Sequence, residues 1–161
     1  MKDFFVILDN ITKAIDTMPK RIATMGVMFS KERFIQQNWI DTSVSAWRPR
    51  CVRRRGGQRR QNGAILVDTG RLKRSIRSSL VSKELIIIST DVPYARAHNE
   101  GLNSSVLVRS HTRHRNGKAY KVKAYSRFVR LPQRRFLGES RVLCSRLENL
   151  IISELQKAMT L

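Results

Sequence analysis

Acidic side chains are scarce. Twelve Asp and Glu stand against 32 Lys and Arg in 161 residues, giving a formal net charge of +20 and a pI near 11.4. In the middle of the chain the only acids are Asp68, Glu84, Asp91 and Glu100, scattered well apart. That removes the paired carboxylates a hydrolase or nuclease needs for acid–base work. Cysteine is nearly absent too: Cys51 and Cys144 are two distant thiols, which make no disulfide framework. Both are expected to be reduced in an intracellular protein. No apolar run approaches the roughly 18 residues of a membrane span, so no membrane partner is expected. Asp3, Asp9 and Asp16 interrupt the opening "MKDFFVILDNITKAI", which excludes a secretory h-region. Aromatics are thin in the basic segments, where only Tyr120, Tyr125 and Phe128 could stack on bases. No RNA-binding signature accompanies them.

What is present is positive charge, unevenly placed. Residues 42–138 hold 23 basic and 4 acidic residues, whereas the two ends together hold 9 and 8. The length suits one domain over 1–161 with a real core. The ends read as ordinary amphipathic protein. The middle points to a polyanion partner or to acidic protein.

Phe4, Leu8, Ile11, Ile15 and Met18 fall at helical spacing and predict a helix over residues 3–16. Pro19 fits the first turn of a second helix reaching about residue 37; one long helix kinked at Pro19 is the alternative. Residues 42–64 lack periodicity and read as a long basic loop arm, with Trp39 and Trp47 anchoring its start. "LVDTGRLKRSIR" predicts a short helix capped by Asp68 or Thr69, with Leu72 and Ile76 on one face. "SSLVSKELIIISTD" reads as a hairpin turning at Ser82-Lys83-Glu84. Asn116-Gly117 marks a second hairpin, with arms "VLVRSHTRH" and "KAYKVKAYSRF". There Tyr120, Val122 and Ala124 alternate with Lys121, Lys123 and Tyr125, which predicts one buried face. Val142, Leu143, Leu147, Leu150, Ile151, Leu155 and Ala158 predict a helix over about 139–159, in a terminal segment of residues 138–160, with Cys144 on its apolar face and Glu139 favouring its N-terminus. The expected fold is α+β: a small antiparallel sheet of about two hairpins in a β-rich centre (65–137), with helices from both ends packed over it.

The stretch "STDVPYARAHNEG" gathers Asp91, Tyr94, His98, Asn99 and Glu100. As an active site it would use His98 as base and Glu100 as its orienter. Residues two apart on a helix point in different directions, however, and no nucleophile elbow is present. As structure it is a short helix, with Pro93 in its first turn, Asp91 or Val92 near the cap, Tyr94 and Ala97 turned inward, and Gly101 after its last turn at positive φ. His111 and His114 are three apart on a predicted strand, where they face opposite sides, so a metal site is not expected.

Four blocks in order, "FIQQNWIDTSVSAWRPR", "LVDTGRLKRSI", "STDVPYARAHNEG" and "LPQRRFLGES", together resemble the phage virion morphogenesis, or tail completion, proteins of Mu-like and other long-tailed phages. The likeness spans roughly residues 20–155. Arg135 departs from it, standing where the family usually has proline. The positions that match are Thr69, Gly70, Leu72 and Ser75, then Tyr94, Ala95, His98 and Gly101, then Phe136 and Leu137. All read as fold or interface residues. The resemblance implies a virion protein without enzymatic residues or cofactor, assembled in the host cytoplasm. It implies a place at the neck or head-proximal tail end, where a homo-oligomeric ring completes the tail and meets neighbouring neck or tail proteins.

The polyanion- or interface-facing residues expected from charge are of two groups. Arg48, Arg50, Arg53, Arg54, Arg55, Arg59 and Arg60 lie in the loop. Arg109, Arg113, Arg115, Lys118, Lys121 and Lys123, with Arg127 and Arg130, lie in the hairpin. Their partner is either an acidic neighbouring subunit or genomic DNA in the lumen, contacted at phosphates without sequence readout. A mobile, solvated arm is the bland alternative for the loop. A general nucleic-acid-binding protein, ribosome-associated or packaging, is the rival function.

Overall fold

The computed structural model describes residues 2–50 and 63–160. Helix α1 runs from Lys2 to Gln36 and carries Pro19 inside it. Of the two readings left open by the sequence, one long helix is found, and the break into two helices at Pro19 is corrected. Beyond Pro19 the helix is held by burial of Ala23, Phe29 and Phe34, which offsets the hydrogen bond proline removes. Helix α4, Arg141–Met159, packs along α1. Glu32 ties them, accepting from Arg33 Nη2 at 3.2 Å and from Arg146 Nη1 at 2.9 Å.

Residues 38–46 are not a loop, as the sequence suggested. Strands β1 (Asn38–Ile40) and β2 (Val44–Ala46) pair antiparallel, and they hold the start of α4. Ser140 is its N-cap: the hydroxyl accepts from Leu143 N at 3.2 Å and donates to the Ile40 carbonyl at 2.8 Å. Asp41 accepts from Arg141 N at 2.8 Å. Glu139 lies outside the helix, which begins two residues later than expected. Cys144 is exposed, not on the packed face; Cys51 lies outside the described residues.

Helix α2 (Arg71–Ser75) follows Gly70 in the left-handed region, and of the two expected caps it is Thr69 that serves, its hydroxyl accepting from Arg71 N at 3.4 Å. Strands β3 (Arg77–Val81) and β4 (Ile86–Ser89) form the expected hairpin and lie against α1. Gly26 lets Ile88 approach the α1 backbone, since a Cβ there would collide with the Ile88 δ-methyl. Helix α3 (Ala95–Asn99) starts after Tyr94, so Asp91 and Val92 do not cap it. Ala95 and Val92 are the buried residues here, while Tyr94 is exposed.

Four further strands follow: β5 (Leu102–Val108), β6 (His111–Arg115), β7 (Lys118–Val122) and β8 (Tyr125–Leu131). β5 pairs with β8 and β6 with β7. The register is common to both, with Leu102 opposite Leu131 and Arg115 opposite Lys118. They are the base and tip of one hairpin, interrupted at residues 109–110 and 123–124. Asn116 and Gly117 both have positive φ at its turn, 50° and 75°. Among the described residues no ladder joins another. The architecture is α+β, as expected, but its helices do not pack over one sheet.

The core cluster contains Phe34, Trp47, Leu72, Ile76, Val92, Ala95 and Phe136. Each of the four sequence blocks contributes to it. Phe34 meets Trp47 edge-on at 5.5 Å between ring centroids and Phe136 at 5.0 Å.

Candidate functional site

The blocks converge in a second place. Thr69, Gly70 and Arg71 from one block and Tyr94 and His98 from another line a cleft of about 170 Å³, together with Arg50 and Asp68. Leu72, Ala95 and Phe136 point into the core, and Leu137 packs against it. Ser75 Oγ donates to the Leu72 carbonyl at 2.8 Å and lies 2.6 Å from Thr90 Oγ1, joining the end of α2 to β4.

Asn99 fastens the third block to the fourth. Its Oδ1 accepts from Phe136 N and Leu137 N, both at 2.9 Å, and its Nδ2 donates to the Leu137 carbonyl at 3.0 Å. Arg134 N donates to the His98 carbonyl at 2.8 Å. Gly101, at φ 82°, is needed because a Cβ would stand 3.2 Å from the Leu131 carbonyl oxygen. Arg135 helps hold the entry to α4. Its carbonyl accepts from Trp47 Nε1 at 3.0 Å, and its guanidinium lies 4.8 Å over the Trp39 ring. Both tryptophans are buried, as anchors should be.

His98 Nδ1 is buried and has no hydrogen-bond partner among the described residues. Burial pushes the His98 pKa down from its ordinary value near 6.5, and the Arg134 charge pushes it the same way. A histidine depressed in the folded state leaves the unfolded chain holding more protons at mildly acidic pH. Stability is therefore complete above about 6.5 and falls as pH drops below the unfolded value, levelling once folded His98 protonates. Chemical unfolding between pH 7.5 and 5 should show this loss in the wild type. His98→Gln should flatten it; an unchanged slope would count against the cause. Glu100 does not orient His98: its carboxylate takes Arg96 Nε at 2.9 Å instead.

The charged hairpin stands away from this centre. It has fourteen residues on each side, 102–115 and 118–131, and its strands pack chiefly on one another. Eight Lys and Arg and no acids lie between Leu102 and Leu131. The expected buried face is absent within the subunit: Tyr120 and Ala124 are exposed and only Val122 is partly covered. The base is apolar, with Leu107 68% and Phe128 62% exposed as diagonal neighbours on one face. The tip is basic. Arg113, Arg115, Lys118 and Lys121 are all exposed, as are Arg109 and Lys123 at the interruptions. His111 is engaged at both ring nitrogens, with Arg109 O at 2.9 Å and Arg113 Nε at 3.0 Å. His114 falls on the opposite face of the strand.

Of the loop arginines, Arg48 and Arg50 are described. The Arg48 carbonyl accepts from Arg134 Nε and Nη2, and Arg50 Nη2 donates to the Ala64 carbonyl at 3.0 Å. Arg53, Arg54, Arg55, Arg59 and Arg60 lie outside the described residues. Sequence reasoning passed over Asn99 as a clamp and Ser140 as a cap. A serine directly before an apolar-periodic run was the available signal for the second; nothing local marks the first. No helix among the described residues is long and apolar enough to cross a membrane.

Residues 5–156 match the phage virion morphogenesis family. No curated protein and no solved structure matches the chain. With nearly the whole chain matched, and the four blocks building one core, the chain belongs to the phage virion morphogenesis family and serves in phage virion assembly.

Proposed function

We propose that this chain is a structural subunit of the neck or head-proximal tail end, which completes the tail and joins it to the head as a homo-oligomeric ring. The observation that supports this reading is the long hairpin with neither face fully covered. A two-stranded ribbon alone is marginal in water. One that presents Leu107 and Phe128 to solvent is completed by contact with a neighbour. The subunit acts by assembly rather than by chemistry. Its other partners are the adjoining neck or tail proteins. The basic tip faces the lumen, where phosphates of passing DNA meet it without sequence readout.

The rival reading, a general nucleic-acid binder, takes support from the same eight positive charges. Phage lacking this protein separate the two. The expected result is filled heads and free tails, with joined particles restored by the wild-type chain in trans. A chain with Arg113, Arg115, Lys118 and Lys121 changed to Gln should restore joining but alter genome exit. Normal joined particles without the protein would sink the neck assignment. Unaltered genome exit with the changed tip would remove the lumen placement.

A further inference from the structure

Among the described residues, two of the uncovered apolar surfaces differ in charge. The first is the outer half of α1. Phe4, Leu8 and Ile15 lie on one stripe, Phe5 lies beside it, and all are exposed, Phe4 by 60%. Residues 3–17 hold one lysine against three aspartates, Asp3, Asp9 and Asp16, a negative stretch in a chain of +20. The second is the base of the hairpin, where Leu107 and Phe128 are exposed and Arg130 sits 5.9 Å over the Phe128 ring.

We propose that the hairpin base of one copy docks on the outer half of α1 of a second copy. Leu107 and Phe128 cover the Phe4–Leu8–Ile15 stripe, and the Arg130 side meets Asp9, which flanks that stripe beside Phe5. The proposal rests on the ring reading and names its contact. Pairing these two surfaces leaves neither apolar patch in water. Pairing hairpin with hairpin would oppose eight positive charges to eight. Pairing helix with helix would leave the hairpin base bare. Asp9 and Asp16 already face Lys13 and Lys83 at 2.6 Å. Those are exposed pairs and weak competitors for a desolvated contact. Because the two patches are different surfaces, the contact is heterologous, the kind whose repetition gives a ring when the rotation closes; closure is what the ring reading adds.

The test uses two full-length variants, Phe4→Asp/Leu8→Asp and Leu107→Asp/Phe128→Asp, with masses read by light scattering. All four positions are exposed in the subunit, so each variant should keep the wild-type circular dichroism and unfold cooperatively, its midpoint lowered only by the lost association. Wild type is expected as a ring and each variant alone as a single chain. An equimolar mixture should give heterodimers and nothing larger, because it contains one intact contact. Should either variant misfold, Asp9→Arg weakening the ring and Arg130→Asp restoring it would serve in its place. A wild type that stays single at every concentration would overturn the ring reading and the contact with it. A wild-type ring that both variants still form would overturn the contact alone. So would a dimer of the Leu107→Asp/Phe128→Asp variant by itself, which would mean that the α1 stripes zip together.

Discussion

Phe136→Ala should destabilise the subunit by about 3–5 kcal/mol, the usual cost of deleting a fully buried phenyl ring. Phe136 is 0% exposed and touches the Phe34 ring within a cluster fed by all four blocks. Its neighbours come from α1, α2 and the segment after β4, so no single element can collapse to fill the hole. The transfer cost and the cavity cost then add. In a chain of this size the midpoint of thermal unfolding should fall on the order of 10 °C. Phe128→Ala, compared at a dilution where the subunit is single, is the matched control, with the same chemistry on an exposed ring, and should move stability by less than about 0.5 kcal/mol. Urea unfolding of both variants checks the contrast. A Phe136→Ala loss below about 1 kcal/mol would mean that the four blocks do not share one cooperative core.

The blocks that carry the family likeness thus do so because they build the core. The basic segments lie between them: residues 51–65 separate the first block from the second, and the hairpin separates the third from the fourth. An element placed between core blocks can lengthen or gain charge without disturbing the packing it springs from. That places the charge where partners are met, and it explains why the composition of the middle region says so little about the fold.

Local signals were legible where local chemistry decides. Asn116-Gly117 predicted its turn because few other dipeptides accept two positive φ values in sequence. Leu72 and Ile76 fell on one buried face as their spacing required. Pro19 left one helix or two open, and one helix prevails because the local cost of proline, about 3 kcal/mol in a helix interior, is offset by the burial of Met18, Ala23, Phe29 and Phe34 at and beyond it. The β1–β2 hairpin was invisible because strands of three residues show no period, and its turn through Asp41–Ser43 carries no glycine. The alternation over 120–125 promised a buried face that the lone subunit does not have. A pattern of that kind records what is covered in the finished assembly, and a sequence does not say whether the cover belongs to the same chain.

Asn99→Ala is the second large effect, expected at about 2–4 kcal/mol. The substitution strips the acceptor from Phe136 N and Leu137 N and the donor from the Leu137 carbonyl. A buried N–H left without a partner costs roughly 1–3 kcal/mol, and two are created here. Asn99→Asp keeps an acceptor for both N–H groups but sets a carboxylate oxygen against the Leu137 carbonyl, so it should recover only part of the loss. Position matters as much as energy. Asn99 lies three residues before the hairpin begins at Leu102, and the backbone it grips begins five residues after the hairpin ends at Leu131. It clamps the two roots of the hairpin side by side, with the His98 carbonyl and Arg134 N as the adjacent stitch. Amide hydrogen exchange on Asn99→Ala should therefore quicken at Phe136, Leu137 and the β5–β8 ladder before it quickens in α1. Uniform quickening across the chain, with the hairpin no more affected than the helices, would show that Asn99 stabilises the fold without holding the hairpin at its root.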